Sequence, residues 1–369
     1  MMRPPLSLLT AELPSTVPFV GPEAQERARG AAFKARIGAN ESVFGPSDKV
    51  IAAMRDAAPE MWQYCDPENH SLKQALAAWH GVSPDNICVG EGIDGLFGTT
   101  ARLFVNPGDK VATSAGAYPT FNYQVAGAGG EIVTVPYVDD REDPASLLDL
   151  ARREGARMIY LANPDNPMGT WWRASDLQAM IDDLPEGVVL CLDEAYGEFA
   201  PAGTLPDLDP HNPQVLRFRT FSKAYGLAGL RVGYVIGEAQ VIKAYDKIRN
   251  HFGVNRMAQV AAEAALADED WLNTVVVRVH AARNEIERIA HENHLDVLPS
   301  ATNFVAIDCG QDGAFAKAVM DSLLQQGVFV RMPGVAPLNR CIRVSAGRED
   351  DLDVFEQALP KALAQAREQ

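Results

Sequence analysis

The sequence predicts an α/β fold with a large domain, whose mostly parallel sheet is flanked by helices, and a smaller α+β domain. From about residue 47 onward, strand-like segments alternate with helical segments of about 10 to 15 residues, as in proteins built on parallel sheets. The strand-like segments 157–164 and 187–196 are almost continuously apolar, which is typical of strands covered on both faces. A chain of 369 residues allows about two domains.

The alternation occupies the middle of the chain. Residues 1–45 contain scattered prolines and glycines and predict an irregular segment. Apolar spacing predicts helices over 48–59, 71–82, 96–105 and 144–155. Apolar and β-branched runs predict strands over 86–90, 110–114, 131–137, 157–164, 187–196, 215–223 and 231–237. We expect these strands to form the large sheet.

The last third of the chain changes in character. A long helical region covers about 239–293. Strands are then predicted over 303–309, 327–332 and 341–347, with a helix over 314–326 and a final helix from 349. We place domain boundaries near 45 and 245. Residues 46–245 form the large domain, 246–369 form the small C-terminal domain, and 1–45 pack on the small domain.

Composition excludes several classes of protein. Lysine and arginine total 33 against 49 acidic residues, a formal charge of −16, which argues against nucleic-acid and polybasic membrane binding. The five cysteines contain no C-x-x-C pair and predict neither a disulfide framework nor a zinc site. The N-terminus predicts no signal peptide, and no apolar run of about 18 residues predicts a membrane span. We therefore expect a cytoplasmic protein.

Polar side chains follow the predicted strands of the large sheet, where ligands of α/β proteins bind. They include the glycine-rich turn 90–95, Asn166, Asp193, Tyr196, Ser222, Lys223 and Arg231. A ligand that combines a phosphate, an aromatic nitrogen and an electrophilic carbonyl would use all of them.

The segment GEGIDG, residues 90–95, formally matches the G-x-G-x-x-G motif of dinucleotide-binding proteins. That motif also requires an acidic residue at the end of the next strand, but the strand 110–114 is followed by Ala115 and Gly116. A nicotinamide-dependent dehydrogenase is therefore disfavoured. The simpler interpretation is a helix start whose N–H groups at Ile93 and Asp94 bind a phosphate, and a plain tight turn is the alternative.

Three motifs carry a resemblance to a known family. NPDNPMG (163–169), LDEAYGEF (192–199) and TFSKAYGLAGLRVGY (220–234) resemble signature segments of pyridoxal-phosphate-dependent aminotransferases of fold type I, class I/II. The histidinol-phosphate aminotransferase branch is the most similar. Shorter matches at VPFVGPEAQE, GANESVFGPS, AYPTF, SATNF and RCIRVSAG extend the resemblance over most of the chain. The large domain would hold the cofactor.

The resemblance implies roles for residues around the cofactor ring. Lys223 would bond to the cofactor aldehyde and later move the substrate α-proton. Asp193 would pair with the pyridine nitrogen, and Asn166 and Tyr196 would hydrogen-bond the phenolic oxygen. Tyr118 would stack on the ring. The alternative for Lys223 is a surface lysine, and the alternative for Asp193 is a helix N-cap. Asn166 could instead be a turn residue, and Tyr118 could simply pack against its neighbours.

The resemblance also implies a phosphate site and a shared active site. Arg231, Ser222 and the N–H groups of Ile93 and Asp94 would hold the cofactor phosphate, since a guanidinium binds phosphate oxygens in pairs. Tyr64 matches a tyrosine that reaches the phosphate of the neighbouring subunit's cofactor. This assignment implies a homodimer, and ordinary packing of Tyr64 is the alternative.

Four residues are implied in substrate binding. Arg343 matches the arginine for the anionic end of the substrate, an α-carboxylate or a phosphate. Arg331 is a second candidate, with a rim charge as the alternative, and Asn40 lies in the GANESVFGPS match. Phe19 stands where histidinol-phosphate enzymes usually have a tyrosine that helps hold the substrate phosphate. This change weakens histidinol phosphate as the donor and favours an aromatic or apolar amino acid.

The implied function is an aminotransferase that moves an amino group from histidinol phosphate, or from an aromatic or apolar amino acid, to an oxo acid such as 2-oxoglutarate. Histidinol phosphate as the donor would place the enzyme in histidine biosynthesis. A lyase that decarboxylates phosphorylated threonine is the alternative enzyme, and a non-enzymatic regulator is a weaker one. His291 and His294 find no third ligand in the sequence, so we expect no metal.

Overall fold

A computed structural model describes residues 4–15 and 20–368. Its strands are β1 (Ala35–Arg36), β2 (Ile87–Gly90), β3 (Lys110–Ser114), β4 (Glu131–Val135), β5 (Met158–Ala162), β6 (Val189–Asp193), β7 (Val215–Thr220), β8 (Gly233–Ile236), β9 (Asp296–Val297), β10 (Phe304–Asp308), β11 (Val328–Phe329) and β12 (Cys341–Ser345).

The helices of the described residues fill the connections. They are α1 (Leu8–Glu12), α2 (Pro22–Arg29), α3 (Asp48–Ala57), α4 (His70–His80), α5 (Gly92–Phe104), α6 (Pro119–Gly127), α7 (Pro144–Glu154), α8 (Ala174–Asp182), α9 (Ala239–Ala244), α10 (Arg256–Leu266), α11 (Glu269–Glu292), α12 (Gly313–Gln326) and α13 (Glu349–Arg367). Single 3₁₀ turns occupy Ala58–Glu60, Pro84–Asn86, Gly197–Phe199, Ala228–Leu230, Tyr245–Lys247 and Leu338–Arg340.

The large sheet has seven strands in the order β2-β8-β7-β6-β5-β3-β4. All of them run parallel except β8, which is antiparallel to both of its neighbours. Every residue of β5 and β6 is buried, because helices cover both faces of the sheet there. The predicted fold class, an α/β protein with a mostly parallel sheet between helices, is confirmed.

A smaller antiparallel sheet, in the order β12-β10-β9, packs against α11 and α12, and α13 packs on those two helices. A separate two-stranded parallel pair joins β1 to β11, with Ala35 opposite Val328. This pair ties the segment before residue 45 to the C-terminal part of the chain. The domain boundaries near 45 and 245 stay predictions.

Several elements differ from the sequence prediction. Residues 1–45 contain α2, which periodicity did not reveal because Pro22 is its one buried residue. The helices α6 and α8 were not predicted. The predicted helical region 239–293 is interrupted between α9 and α10. The helix predicted over 96–105 begins at Gly92, so the glycine-rich turn is itself the first turn of α5.

Candidate active site

One cavity of about 220 Å³ opens at the carboxyl ends of β5, β6 and β7. Parallel strands direct their carboxyl ends to the same edge of a sheet, so residues far apart in sequence meet there. The structure brings together nine of the predicted cofactor-site residues around this cavity: Ile93, Asp94, Tyr118, Asn166, Asp193, Tyr196, Ser222, Lys223 and Arg231.

Asp193, the last residue of β6, forms the floor of the cavity. Its Oδ2 accepts a hydrogen bond of 2.8 Å from the Tyr160 hydroxyl, and its Oδ1 accepts one of 3.0 Å from the backbone N–H of Ala195. These bonds fix the carboxyl group in place. Burial raises the pKa of Asp193 to about 6, so this carboxylate favours a cationic partner such as a protonated ring nitrogen.

Lys223 and Tyr196 face each other across the cavity and are joined through Asn40. The Lys223 amine donates a 3.1 Å hydrogen bond to the Asn40 carbonyl oxygen and lies 5.5 Å from the centre of the Tyr196 ring. The Asn40 side-chain amide donates to the Tyr196 hydroxyl at 3.0 Å, and its oxygen accepts from Ser345 at 2.9 Å. The Tyr196 hydroxyl therefore keeps its own proton free to donate into the cavity.

The opposite end of the cavity is suited to an anion. Helix α5 begins at Gly92, so the N–H groups of Ile93 and Asp94 lie in its first turn, where no intrahelical acceptor exists. Arg231 donates to the Ser222 hydroxyl at 3.3 Å and lies 3.6 Å from the Asp94 carboxylate. A Cβ on Gly92 would lie 2.5 Å from the Arg231 guanidinium, so glycine permits this close approach.

Tyr118 immediately precedes α6 and closes one side of the cavity. Its hydroxyl donates to Asp94 at 3.1 Å, and burial together with the Asp94 charge raises the pKa of the phenol. The hydrogen bond fixes the aromatic ring beside the anion-binding end.

A second cavity of about 430 Å³ adjoins the first and shares Ala39, Tyr118, Asn166 and Lys223 with it. Asn40, Arg331 and Arg343 also line it.

Arg343, on β12, is half-buried. Its guanidinium donates to the Asn166 side-chain oxygen and lies 5.1 Å from the Phe304 ring centre. The backbones of Arg331 and Arg343 hydrogen-bond each other. The Arg331 guanidinium donates to the Val20 carbonyl oxygen at 2.7 Å. Two cationic side chains thus share one cavity with the Lys223 amine.

Two predicted site residues are not placed in these cavities. Tyr64 is 80% exposed and packs against Phe252, with 5.0 Å between ring centres, so among the described residues it lines neither cavity. Phe19 lies outside the described residues. Its neighbour Val20 carries the carbonyl that Arg331 binds.

Sequence reasoning missed the residues that support the site from behind. Tyr160, which holds Asp193, was hidden in an apolar strand. Ser345 and Asn303, which hold Asn40, lie in a different part of the chain. Asp165 was visible within NPDNPMG but had no assigned role. Glu142 carried no signal, because it lies in the run DDRED, which resembles a solvated turn.

The donor set fits pyridoxal phosphate. An amine, a buried carboxylate and a phenol surround the main volume of the first cavity, and a guanidinium with a helix N-terminus closes its end. These groups match an aldehyde, a ring nitrogen, a phenolic oxygen and a phosphate. Among residues 4–15 and 20–368 no group of three or more histidine, cysteine, aspartate or glutamate side chains is arranged to hold a metal. Within those same ranges, every helix is too short or too polar to cross a membrane.

Comparison with known proteins identifies the family. The sequence model described as "Aminotransferase class I and II" matches residues 34–359. The chain is 37% identical to histidinol-phosphate aminotransferase 1 of Mesorhizobium japonicum, over 89% of this chain and 90% of that protein. It is 36% identical to histidinol-phosphate aminotransferase 2 of Carboxydothermus hydrogenoformans, over 90% and 91%.

A solved structure is similar over nearly the whole chain. The histidinol-phosphate aminotransferase of Sinorhizobium meliloti, crystallised with pyridoxal-5'-phosphate, has a TM-score of 0.95 and 54% sequence identity, and the match covers 97% of each chain. The family model and these relatives agree with the donor set of the cavity. The chain belongs to the class I and II aminotransferases, which use pyridoxal phosphate as their cofactor.

Proposed function

We propose that this enzyme transfers the amino group of histidinol phosphate to 2-oxoglutarate. The observation that carries the proposal is the second cavity, in which Arg343 and Arg331 share one space with the Lys223 amine. A substrate with an anionic end and a reacting amine fits such an arrangement. The names of the relatives at 36–37% identity and of the 54% identical structure support this donor.

Pyridoxal phosphate, when bound, supplies an aldehyde carbon for the amine and a ring that accepts the electrons released at the substrate α-carbon. We assign the ring nitrogen to Asp193, since its carboxylate is fixed by Tyr160 and faces a buried space. The phenolic oxygen is assigned to Tyr196 and Asn166. The phosphate is assigned to Arg231, Ser222 and the N–H groups of Ile93 and Asp94.

The phosphate site uses both side chains and backbone. Arg231 and Ser222 supply donors, and the N–H groups of Ile93 and Asp94 add the field of the α5 N-terminus. Tyr118 would cover the ring from one side. Held in this way, the ligand would be positioned for reaction with the Lys223 amine.

Lys223 moves the proton in this proposal. Its amine is held by the Asn40 carbonyl at 3.1 Å, which fixes its position without removing its lone pair. Once released from the cofactor, the Lys223 amine would take the proton from the substrate α-carbon and deliver it to the cofactor carbon that carried the aldehyde. Asn40 is thus a positioning residue for Lys223 and Tyr196.

A second donor class is favoured by one observation. Phe19 lacks the hydroxyl that would add a donor to a substrate phosphate, and Arg331 is held to Val20 beside it. An aromatic or apolar amino acid would use the same α-amine chemistry with a less polar pocket corner. A phosphothreonine-type decarboxylase is distinguished from both because it needs no oxo acid.

We further propose a cytoplasmic homodimer with shared active sites. Trp62 and Tyr64 are about four-fifths exposed, and Phe252 beside them is half exposed, so a large aromatic patch faces solvent in the single chain. Such patches mark interaction surfaces. In the proposed dimer Tyr64 reaches the phosphate in the partner's cavity.

Spectroscopy of the loaded enzyme tests the donor. Visible absorbance of bound pyridoxal phosphate is followed while histidinol phosphate, phenylalanine, leucine or phosphothreonine is added without an oxo acid, with Lys223→Ala as the control. We expect histidinol phosphate to convert the bound cofactor at the lowest concentration and 2-oxoglutarate to restore the original spectrum. Preference for phenylalanine or leucine would contradict the proposed donor, and release of carbon dioxide would identify a lyase.

Mixing inactive subunits tests the shared site. Tyr64→Ala and Lys223→Ala are each expected to have little activity alone, whereas a refolded mixture regains activity through hybrid dimers with one intact site. Sedimentation of each variant serves as the control for assembly. Full activity of Tyr64→Ala alone, or no recovery in the mixture, would contradict a role for Tyr64 across the dimer.

A further inference from the structure

Two carboxyl groups are buried close to Asn166, the residue that binds Arg343 in the second cavity. Glu142 precedes α7 and Asp165 follows β5, and each residue is only 2% exposed. The two carboxyl groups act on each other, and the charge of Asp165 raises the pKa of Glu142. Because two like charges buried side by side are costly, a pair of this kind favours holding one proton.

The hydrogen-bond partners locate this proton. Asp165 Oδ1 accepts from the Tyr137 hydroxyl at 2.9 Å, and Oδ2 accepts from the Met168 N–H at 2.9 Å. Glu142 Oε1 accepts from the Ala162 N–H at 3.0 Å. The remaining oxygen, Glu142 Oε2, is buried and accepts no hydrogen bond among the described residues. A proton on Oε2 would satisfy that oxygen and supply the donor to Asp165.

The pair is electrostatically linked to Arg343. Asp165 immediately precedes Asn166, whose side-chain oxygen accepts a hydrogen bond from the Arg343 guanidinium. The positive charge of Arg343 acts on Asp165, and the negative charge of Asp165 acts on Arg343. The Arg343 Nε is buried and makes no hydrogen bond within the described part of the chain. A charge on Asp165 therefore opposes the binding of a second anion at Arg343.

The groups that face the pair set its titration. Burial raises the pKa of Glu142 well above its usual range, and the charges of Asp165 and Asp193 add to the rise, while the Ser114 hydroxyl opposes it. Burial raises the pKa of Asp165 to about 7, opposed by hydrogen bonds from Met168, Tyr137 and Glu142 and by Arg343. We therefore place the proton of the pair on Glu142, whose Oε2 accepts no hydrogen bond among the described residues, and assign the change of charge to Asp165, both of whose oxygens accept hydrogen bonds.

We propose that Glu142 and Asp165 form a proton-holding pair that sets the charge beside Arg343 and so tunes the affinity for the anionic end of the substrate. The proposal rests on the proposed function only in assigning the substrate anion to Arg343. Glu142 and Asp165 are positioning residues, since they act through Arg343 and Asn166. As pH falls through about 7, Asp165 becomes neutral and anion binding tightens.

The primary test compares KM for 2-oxoglutarate in wild type and Asp165→Asn, both loaded with pyridoxal phosphate, at pH 8 and pH 6. At pH 8 the variant lacks the opposing charge, so its KM is expected to be about threefold to tenfold lower than that of wild type. At pH 6 both residues at position 165 are neutral, and the two values should agree within about twofold. Glu131→Gln, which removes an exposed carboxylate on β4, should leave both values unchanged.

Two further variants separate charge from packing. Tyr137→Phe removes one donor to the Asp165 carboxylate, so the midpoint of the KM change should move upward by about one pH unit while its limits stay the same. Glu142→Gln keeps a donor to Asp165 and should retain the wild-type midpoint. A merely structural role would not move a midpoint in this pattern. These variants also decide the matter if Asp165→Asn fails to fold.

Infrared difference spectroscopy reads the proton directly, without activity. The carbonyl stretch of a protonated carboxyl group is expected in wild type and Asp165→Asn at pH 8 and should disappear in Glu142→Gln. The inference is overturned if the band is unaffected by Glu142→Gln, or if Asp165→Asn changes KM equally at both pH values or not at all. If wild type does not react with 2-oxoglutarate at any pH, the proposed function fails, while the infrared result still tests the proton.

Discussion

The floor of the active site and its anion-binding rim are built in different ways. The floor comes from the carboxyl ends of neighbouring strands in one sheet, and Asp193 has both oxygens bound by groups of the same sheet or its adjacent turn. The rim combines β12, the loop after β11 and the segment before β1, which are distant in sequence. The floor is therefore built from neighbouring strands of one sheet, whereas the rim depends on how several segments meet.

This difference separates the chemistry from the choice of substrate. Under the proposed function, the amine, the carboxylate and the anion site would serve any donor that presents an α-amine. Arg343, Arg331 and the residues near Val20 would decide which anionic or apolar end fits beside it. Changes in the floor should therefore abolish turnover for all donors, and changes in the rim should redistribute activity among them.

The largest expected effect is at Lys223. Lys223→Ala removes the amine that moves the α-proton, so the rate of transamination should fall at least about 10⁴-fold with every donor. Single-turnover absorbance measurements on the loaded variant check this. If the rate fell much less with one donor than with another, the floor would also discriminate among donors. That result would contradict the separation of chemistry from substrate choice.

Asp193→Asn should reduce kcat about 10²- to 10³-fold, because a neutral amide no longer holds a charge on the ring nitrogen.

The same variant should stabilise the cofactor-free protein above pH 6. The folded-state pKa of about 6 lies above the usual 3.8, so the wild type loses stability as pH rises between these values.

The stability gain from Asp193→Asn is expected to be about 1–3 kcal/mol at pH 8 and to vanish below about pH 4, where the carboxyl is protonated in both states. Urea unfolding at the two pH values measures it. Tyr160→Phe is the matched control, because it removes a partner of Asp193 but leaves its charge. A variant less stable than wild type at pH 8 would mean that the burial of this charge is fully compensated.

The floor was predictable from the sequence because its residues follow strands by a few positions. Asp193 ends β6 and Lys223 lies three residues after the end of β7, so recognising the strands was enough to bring them together. The glycine-rich turn also reaches the same cavity through Ile93 and Asp94, although it belongs to α5 rather than to a loop before it.

The rim and the supporting residues were less predictable. Arg343 and Arg331 were found by resemblance, but nothing in their spacing shows that β12 and the end of β11 bring their backbones together. Glu142 gave no signal, because a buried acidic residue and a solvated one look alike in a run such as DDRED. Tertiary packing determines which of these carboxyl groups is buried beside another side chain, and the local sequence does not show it.

The two rim arginines should differ in effect. Arg343→Gln removes a cation that is fixed by Asn166 and the Phe304 ring, so KM for 2-oxoglutarate should rise about 10²-fold with a smaller change in kcat. Arg331→Gln should raise the KM for 2-oxoglutarate about tenfold or less, because the Arg331 guanidinium also donates a hydrogen bond to the Val20 carbonyl oxygen. Steady-state kinetics with both variants tests the order, and equal effects would place both arginines on the same anion.

The smallest expected effect concerns the hydroxyl that Phe19 lacks. Phe19→Tyr would add one donor at the residue before Val20, whose carbonyl oxygen Arg331 binds. A hydrogen bond from it to a charged phosphate should improve kcat/KM for histidinol phosphate about threefold to tenfold. The ratio of histidinol phosphate to phenylalanine turnover is the measurement, with Phe33→Tyr as a control outside the substrate cavity. An unchanged ratio would mean that position 19 does not approach the substrate phosphate. A shift toward phenylalanine would contradict the proposed donor, because a polar hydroxyl should not favour an apolar side chain.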